Sequence, residues 1–191
     1  MKKIIFLAGF LLLFVSAESQ PSKAKKVLSF YPQYLIMHGM KAGIEVPVKN
    51  NFWFIVSPEI YYCENNSSII NYKELYGAGL TFHNRKYLLP DHDRLPYISM
   101  QVSYNYFNIA DPDDAEIPSY NIHKTGLGFT IGIQPELRDP VYLDFYLGAG
   151  FRKSFYNTDE DIEMHQEVSW DYAFTGPTLL IGVKLCFITK P

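Results

Sequence analysis

The sequence predicts an all-β fold, an eight-stranded antiparallel up-and-down transmembrane β-barrel, and three observations support this prediction. Eight segments alternate apolar and polar residues with a period of two, which is the side-chain period of a β-strand. The apolar positions carry bulky side chains, whereas the polar positions are mostly Gly, Ser, Thr, Tyr, Gln and Asn. Charged residues gather in the connections between the segments and are sparse along them.

The N-terminus has the features of a secretory signal peptide. A short basic start precedes an apolar run over residues 4–15, and small residues follow at Ser16 and Ala17. A run of about a dozen residues is too short to cross roughly 30 Å of hydrocarbon as a helix. We therefore expect a signal peptide at residues 1–17 and one barrel domain at residues 18–191.

The first three strands are predicted at residues 27–37, 42–48 and 52–62. Each alternates from its first residue, although proline at two positions cannot supply a hydrogen bond to a strand ladder. Their apolar faces hold, in order, Leu28, Phe30, Pro32, Tyr34 and Ile36, then Ile44, Val46 and Val48, then Phe52, Phe54, Val56, Pro58, Ile60 and Tyr62.

The remaining five strands show the alternation more regularly. The fifth, YISMQVSYNY, places five apolar or aromatic residues opposite Ser, Gln and Asn, and the sixth, TGLGFTIGIQ, sets glycines opposite Leu, Phe and Ile. Only Leu180 interrupts the pattern of the last strand. These five strands are predicted at residues 72–85, 97–106, 125–134, 141–151 and 177–187.

The connections differ in length from one end of the predicted barrel to the other. Longer polar stretches follow strands three, five and seven, at residues 64–71, 110–120 and 157–171. Short turns follow strands two and six, at residues 49–51 and 136–140. Transmembrane barrels show this asymmetry, with short periplasmic turns and longer external loops.

Two closed barrels could produce this alternation, and they differ in which face meets water. A lipocalin-like binder encloses its apolar face, whereas an outer-membrane barrel exposes that face to lipid. A soluble exterior is normally rich in Lys, Arg, Asp and Glu, but the polar face here carries few charges. An eight-stranded barrel encloses little room, so it cannot contain the bulky apolar set. The composition therefore favours lipid on the apolar side.

The composition also limits the partners. The chain has 17 Lys and Arg against 20 Asp and Glu and no basic stripe, so we expect no nucleic-acid partner. The two cysteines, Cys63 and Cys186, fall at opposite ends of strands three and eight. We expect them to be isolated thiols, although an exported chain could oxidise them.

Several stretches resemble a known family. They are YGAGLTF, YISMQVSYNY, TGLGFTIGI, YLDFYLGAGF and the terminal GVKLCF. Together they resemble the small eight-stranded outer-membrane barrels of Gram-negative bacteria, the OmpA/OmpX-like superfamily.

The resemblance implies a location in the cell outer membrane. It implies contact with outer-membrane lipid and lipopolysaccharide, and insertion by the barrel-assembly machinery. The implied assembly signal is a glycine followed by alternating hydrophobic residues that end in an aromatic one: Gly182, Leu185 and Phe187. Four residues follow Phe187, whereas members of the family often end on the aromatic residue.

No residue pattern predicts a catalytic, metal or cofactor site. Neither His83 nor His123 lies in a His-x-Ser-Asn arrangement like that of lipid A deacylases. The acidic clusters at residues 91–93 and 111–116 lack the spacing of a known calcium loop, although loose cation bridging to lipopolysaccharide is open.

The alternation of side chains between the two faces of each strand instead predicts that several charged residues point into the lumen. A buried charge needs a partner or water, and antiparallel alignment of the last two strands brings Asp144 level with Lys184. We therefore predict an ion pair between Asp144 and Lys184. The predicted lumen charges are Glu45, Glu59, Arg85, Asp144, Arg152 and Lys184.

These expectations lead to one function and two alternatives. We expect a monomeric, non-catalytic outer-membrane barrel with a structural or surface-interaction role, its lumen closed by polar side chains and unlike that of a wide porin. The first alternative is a barrel enzyme that acts on lipid A or phospholipid. The second is a secreted, lipocalin-like binder of small molecules.

Overall fold

The computed structural model describes residues 26–49, 51–64, 74–89, 96–110, 119–156 and 174–189. The predicted signal peptide, the longer connections and both acidic clusters lie outside these ranges, wholly or for the most part. Within the described ranges no helix is long and apolar enough to cross a membrane. The elements are β1 (Val27–Phe30), α1 (Gln33–Ile36), β2 (Gly39–Lys49), β3 (Phe52–Glu64), β4 (Glu74–Tyr87), β5 (Tyr97–Ala110), β6 (Ser119–Ile133), β7 (Glu136–Arg138), β8 (Val141–Tyr156) and β9 (Gly176–Ile188).

Eight of these strands form a closed antiparallel β-barrel, which confirms the predicted all-β fold. Neighbours in the wall follow chain order from β1 to β6, and β9 lies between β1 and β8. The ladder between β6 and β8, which runs from Ile122 opposite Tyr156 to Ile133 opposite Phe145, closes the ring. The three-residue β7 pairs only with the start of β8, at the connection that follows β6.

The connections define two ends of the barrel. We call the end with the β2–β3, β4–β5 and β6–β8 connections the turn end, and the opposite end the loop end. Along every long strand, buried and exposed residues alternate. In the β6–β8 hairpin Gly128, Thr130 and Gly132 face the lumen, whereas Phe129 and Ile131 are exposed. The predicted assignment of inward-facing and outward-facing side chains in this hairpin is therefore confirmed.

The first predicted strand is wrong beyond Phe30. The strand at residues 27–37 was expected to be continuous, but β1 ends after four residues and the chain turns into the single helical turn α1. Pro32 explains part of the break, because its ring lacks the N–H that a ladder needs. The buried Tyr31 side chain then points into the lumen, where its hydroxyl lies 3.0 Å from Ser57 Oγ.

The short β1 leaves a gap in the barrel wall, which we call the β2–β9 seam. β1 pairs with β9 only as far as Phe30 opposite Leu185. Among the described residues, residues 176–184 of β9 consequently have β8 as their only strand neighbour. On the other side of the seam, residues 39–41 of β2 have a strand ladder only with β3.

The α1 segment covers this seam. The Nε2 atom of Gln33 donates a hydrogen bond of 3.0 Å to the hydroxyl of Tyr146 on β8, across β9. Gly182 of β9 makes that reach possible, because a side chain there would clash with Gln33 Nε2 and with the Tyr146 hydroxyl. On the outside, the side chains of Leu35 and Ile36 are exposed.

The other differences concern strand ends and one side chain. β4 runs two residues further toward the turn end than predicted, and β6 begins at Ser119 instead of residue 125. Leu180, the exception in the last strand, is buried on the inner face. Its side chain occupies the space that Gly150 on the neighbouring β8 and Gly128 on β6 leave open.

Candidate functional site

The guanidinium of Arg85 is a fully buried charge in the lumen. Its Nη1 atom donates to Glu45 Oε2 at 2.8 Å, and its Nη2 atom donates to Asp144 Oδ2 at 2.7 Å. These three side chains come from β4, β2 and β8, and all three are fully buried. A buried guanidinium is stable only with such partners, so the cluster ties three strands together across the lumen.

Asp144 is the most heavily bonded acceptor of this cluster. It accepts hydrogen bonds from the hydroxyl of Tyr97 at 2.5 Å and from Gln134 Nε2 at 2.9 Å. Lys184 Nζ lies 3.3 Å from Asp144 Oδ2, and the two residues are opposite each other in the β8–β9 ladder. The predicted ion pair between Asp144 and Lys184 is therefore present.

A second ion pair lies nearer the loop end. Lys41 Nζ is 2.9 Å from Glu59 Oε2 and donates to Thr81 Oγ1 at 2.7 Å and to the hydroxyl of Tyr34 at 3.1 Å. Asn105 Nδ2 donates to the other oxygen of Glu59. Tyr34 comes from α1, so the seam-covering segment also contributes to the lumen network.

Tyr31 separates the two ion-pair clusters. The ammonium groups of Lys41 and Lys184 each lie 5.2 Å from the centre of its ring. An aromatic face attracts cations at this distance, and the attraction strengthens where water is excluded. The ring therefore holds two like charges apart while it interacts favourably with both.

Apolar clusters lie at both ends of the charged lumen. The turn-end cluster consists of Val27, Tyr142, Cys186 and Ile188. The loop-end cluster consists of Tyr61, Cys63, Leu75, Phe107, Ile109 and Ile122. Each cluster contains one of the two cysteines, and both are free thiols, as expected.

Between the ion pairs and the loop end lies a cavity of about 250 Å³. Its lining includes Gln33 and Tyr34 of α1, His83 of β4, Lys124 of β6 and Arg152 of β8. Small residues at two inner positions, Ser103 of β5 and Gly126 of β6, leave this part of the lumen unfilled. We call it the loop-end cavity.

The structure brings five of the six predicted lumen charges into two buried clusters. Arg152 lies apart from them, half-buried at the loop-end cavity. The three residues of the implied assembly signal lie on β9, where Phe187 is exposed, Leu185 is half-buried and Gly182 faces inward against Tyr146.

Sequence reasoning missed several members of the network. Lys41 shares the inner parity of Glu45, but the predicted second strand began one residue too late to include it. Lys124 was missed in the same way, because the predicted sixth strand began at residue 125. The tyrosine and glutamine ligands of Asp144 carry no local signal, since their roles depend on which strands meet across the lumen.

The two histidines differ in environment. His83 is buried on the inner face, and its Nε2 atom has no hydrogen-bond partner among the described residues. His123 lies on the outer face, where its Nδ1 atom is 2.8 Å from the hydroxyl of Tyr104.

One group of side chains has the proximity that a metal site needs. Ligand atoms of Glu45, Asp144 and Cys186 lie within 4.8 Å of one another. Both carboxylates, however, are bonded to the Arg85 guanidinium, and Asp144 also pairs with Lys184. These residues therefore do not fit a metal cation, because two fixed positive charges already occupy the carboxylates.

Comparisons with protein-family models, with curated proteins and with solved structures found no match to this chain.

Proposed function

We propose that this protein is an outer-membrane β-barrel with a structural or surface-interaction role and a lumen closed to solutes of porin size. One observation carries the proposal: the barrel has bulky apolar side chains outside and ion pairs inside. A water-soluble barrel has the opposite distribution, because water favours charge on the exterior and apolar groups in the core.

The outer surface supports a lipid environment. Phe129 is 60 % exposed, Ile131 is 61 % exposed and Leu179 is 68 % exposed, and these residues lie on β6 and β9, the two strands that flank β8. Soluble monomers rarely expose contiguous apolar patches larger than a few hundred Å². Contact with lipid instead of water removes the free-energy cost of exposing such an apolar patch.

The exposed charges and the strand lengths support the same proposal. Among the described residues, exposed charged side chains lie toward the two ends of the barrel, at Lys26, Lys86, Glu136, Arg138, Asp139 and Lys153. The long strands contain 11 to 16 residues, and a tilted strand needs about 9–11 residues to cross the hydrocarbon core. The band between the ends is therefore wide enough to span a bilayer.

The lumen contents support a closed interior. The Arg85 cluster connects side chains of β2, β4 and β8 across the lumen, and the Lys41–Glu59 pair on neighbouring strands is bonded further to Thr81 of β4. These side chains occupy the cross-section that a pore would need. The lipocalin-like alternative calls for a largely apolar pocket, whereas the interior here is built on ion pairs.

Membrane insertion is tested on protein expressed in a Gram-negative host. We expect it in the outer-membrane fraction, resistant to carbonate extraction, with faster gel migration when unheated than after boiling. Recovery of the folded protein in the soluble periplasmic fraction would exclude the proposal and favour the lipocalin-like binder.

Pore function and enzymatic function are tested separately. In a liposome-swelling assay, we expect vesicles with the protein to swell in small sugars no faster than empty vesicles, with a general porin as the positive control. Lipid A acyl chains are compared by mass spectrometry with and without expression of the gene. Altered acylation would favour the barrel enzyme over a non-catalytic role.

A further inference from the structure

Several charged side chains of the barrel interior line the loop-end cavity or lie next to it. Among the described residues, five cationic and three carboxylate side chains face the interior. Arg85 and Lys184 are matched by Glu45 and Asp144, and Lys41 is matched by Glu59. Arg152 has no such carboxylate partner among the described residues.

Arg152 of β8 belongs to the lining of the loop-end cavity. No carboxylate of the described residues lies within ion-pair distance of it. Its ladder neighbour Gly126 has no side chain, and the Arg152 Cγ atom lies 3.6 Å from the point that a β-carbon there would occupy. Lys124, two residues along β6 on the same inner face, adds a second positive charge.

The β4 side of the cavity offers a buried polar atom without a partner among the described residues. His83 is only 5 % exposed, and it lines the same cavity as Arg152. Its Nε2 atom has no hydrogen-bond partner among the described residues. Buried polar atoms are nearly always hydrogen-bonded, so this nitrogen is a candidate contact for a bound molecule.

The cavity is large enough for a small anion. Its volume of about 250 Å³ corresponds to roughly eight water molecules at about 30 Å³ each. A phosphate or carboxylate group fits this space and can meet Arg152 through two parallel N–H···O bonds. Glu59 faces the same cavity, but Lys41 and Asn105 are already bonded to its two oxygens.

We propose that the loop-end cavity binds an oxyanion, a phosphate or carboxylate group, with Arg152 as the principal ligand. The Nε2–H of His83 donates a hydrogen bond from β4. The same chemistry suits a free phosphate and the headgroup of an anionic lipid. The proposal rests on the barrel interior and does not depend on where the protein is located.

Binding of inorganic phosphate is tested by isothermal titration calorimetry on the folded protein in a neutral detergent, with sodium chloride at matched ionic strength as the blank. We expect saturable binding by the unmodified protein and about tenfold weaker binding by Arg152→Gln, since a charge-assisted contact is lost. The matched control is Lys153→Gln, which removes a charge from the next residue on the outer face and should bind like the unmodified protein.

The source of the anion is distinguished in lipid vesicles. Phosphatidylcholine vesicles with and without phosphatidylglycerol are compared by the thermal unfolding of the inserted protein. Stabilisation by phosphatidylglycerol that Arg152→Gln loses and Lys153→Gln keeps identifies a lipid headgroup. Stabilisation by inorganic phosphate alone, with the same dependence on Arg152, identifies a free anion.

Two results would overturn the proposal. One is the absence of saturable phosphate binding together with no response to phosphatidylglycerol in the unmodified protein. The other is an equal loss of binding in Arg152→Gln and Lys153→Gln. Heat-modifiable migration of each variant shows that it is folded, so a loss of binding is not mistaken for a loss of structure.

Discussion

Arg85 shows how strongly one side chain can couple distant strands. Its guanidinium bonds carboxylates from β2 and β8, and its centre lies 4.2 Å from the Tyr97 ring of β5. A buried ion pair contributes little against an apolar replacement of the whole set, but removal of one partner leaves an uncompensated charge. The contribution of Arg85 is therefore tied to the presence of both of its carboxylates.

Replacing Arg85 alone should destabilise the barrel strongly. We expect Arg85→Met to lower the free energy of unfolding by about 3–5 kcal/mol, because Glu45 and Asp144 lose their main partner. Urea titration of the refolded protein in vesicles, followed by tryptophan fluorescence, measures this. The neighbouring Lys86→Met, whose side chain is exposed, is the control. A double variant that also carries Glu45→Gln should recover much of the loss, because Asp144 keeps Lys184 as its partner; no recovery would contradict the electrostatic explanation.

Two glycines of the β6–β8 hairpin should differ in their tolerance of a methyl group. At Gly148 a β-carbon would meet the backbone carbonyl of Phe129 and the Cα atom of Thr130, and neither can move aside without a shift of the ladder. At Gly126 the nearest atom is the Ser103 hydroxyl, which can rotate away. We expect Gly148→Ala to cost roughly 1–3 kcal/mol and Gly126→Ala clearly less. Equal unfolding midpoints in urea would refute this explanation.

At the residue scale, the alternation of side chains along a strand was sufficient to assign a residue to the inner or the outer face wherever the ends of the strand were predicted correctly. It placed Glu45, Arg85, Asp144 and Lys184 on the inner face, and the ladder alignment gave the Asp144–Lys184 pair. It could not select Arg85 as the partner of both carboxylates, because that depends on which walls face each other across a narrow lumen. Nor could it separate Arg152 from the network, because parity carries no information on height within the lumen.

At the scale of elements, β1 and α1 depart furthest from expectation. The alternation of residues 27–37 continues through Pro32, Tyr34 and Ile36, so periodicity alone extends the strand. The chain instead uses Tyr31 and Tyr34 to reach the lysines of the lumen. Tertiary contacts of this kind override a local pattern, and no reading of the local sequence contains them.

Removal of the α1 turn should affect the seam before it affects the rest of the barrel. Replacement of residues 32–36 by a Gly–Ser stretch of equal length deletes the Gln33–Tyr146 and Lys41–Tyr34 hydrogen bonds. We expect a loss of about 2 kcal/mol in the free energy of unfolding, from two hydrogen bonds of about 1 kcal/mol each. Backbone amides of residues 176–184 should exchange with deuterium faster, whereas those of β5 should not.

The control for this replacement is Leu35→Ser, which alters an exposed side chain of the same segment. It should leave both unfolding and amide exchange nearly unchanged. If the Gly–Ser variant accelerated exchange equally in all strands, the segment would be stabilising the barrel globally instead of covering the seam.

At the scale of the whole molecule, the sequence predicted the closed antiparallel barrel because one signal, a period of two, recurs in every wall strand. Composition then assigned the apolar face to the outside, and the exposed band agrees. The β2–β9 seam could not be predicted, because it arises where β1 ends early. A strand end is the feature that a periodic pattern indicates least clearly.

A charge in the middle of the exposed band distinguishes a lipid exterior from an aqueous one. In a bilayer, Phe129→Arg should lower the free energy of unfolding by about 2–4 kcal/mol, and Thr125→Arg, nearer the loop end on the same face, should cost about 0–1 kcal/mol. Folding in phosphatidylcholine vesicles at increasing urea measures both. In a soluble barrel both substitutions would be nearly neutral, so similar small effects would contradict membrane insertion.

The short β1 also gives the barrel two mechanically different halves. Toward the turn end the wall is a continuous ring in which every strand is hydrogen-bonded to both of its neighbours, so its diameter is fixed. Toward the loop end no ladder joins β2 to β9, and the α1 turn, which is hydrogen-bonded to Tyr146 of β8, covers the gap. The wall at the β2–β9 seam can widen without breaking a ladder of backbone hydrogen bonds. The loop-end cavity therefore lies in the half of the barrel whose diameter can change most easily.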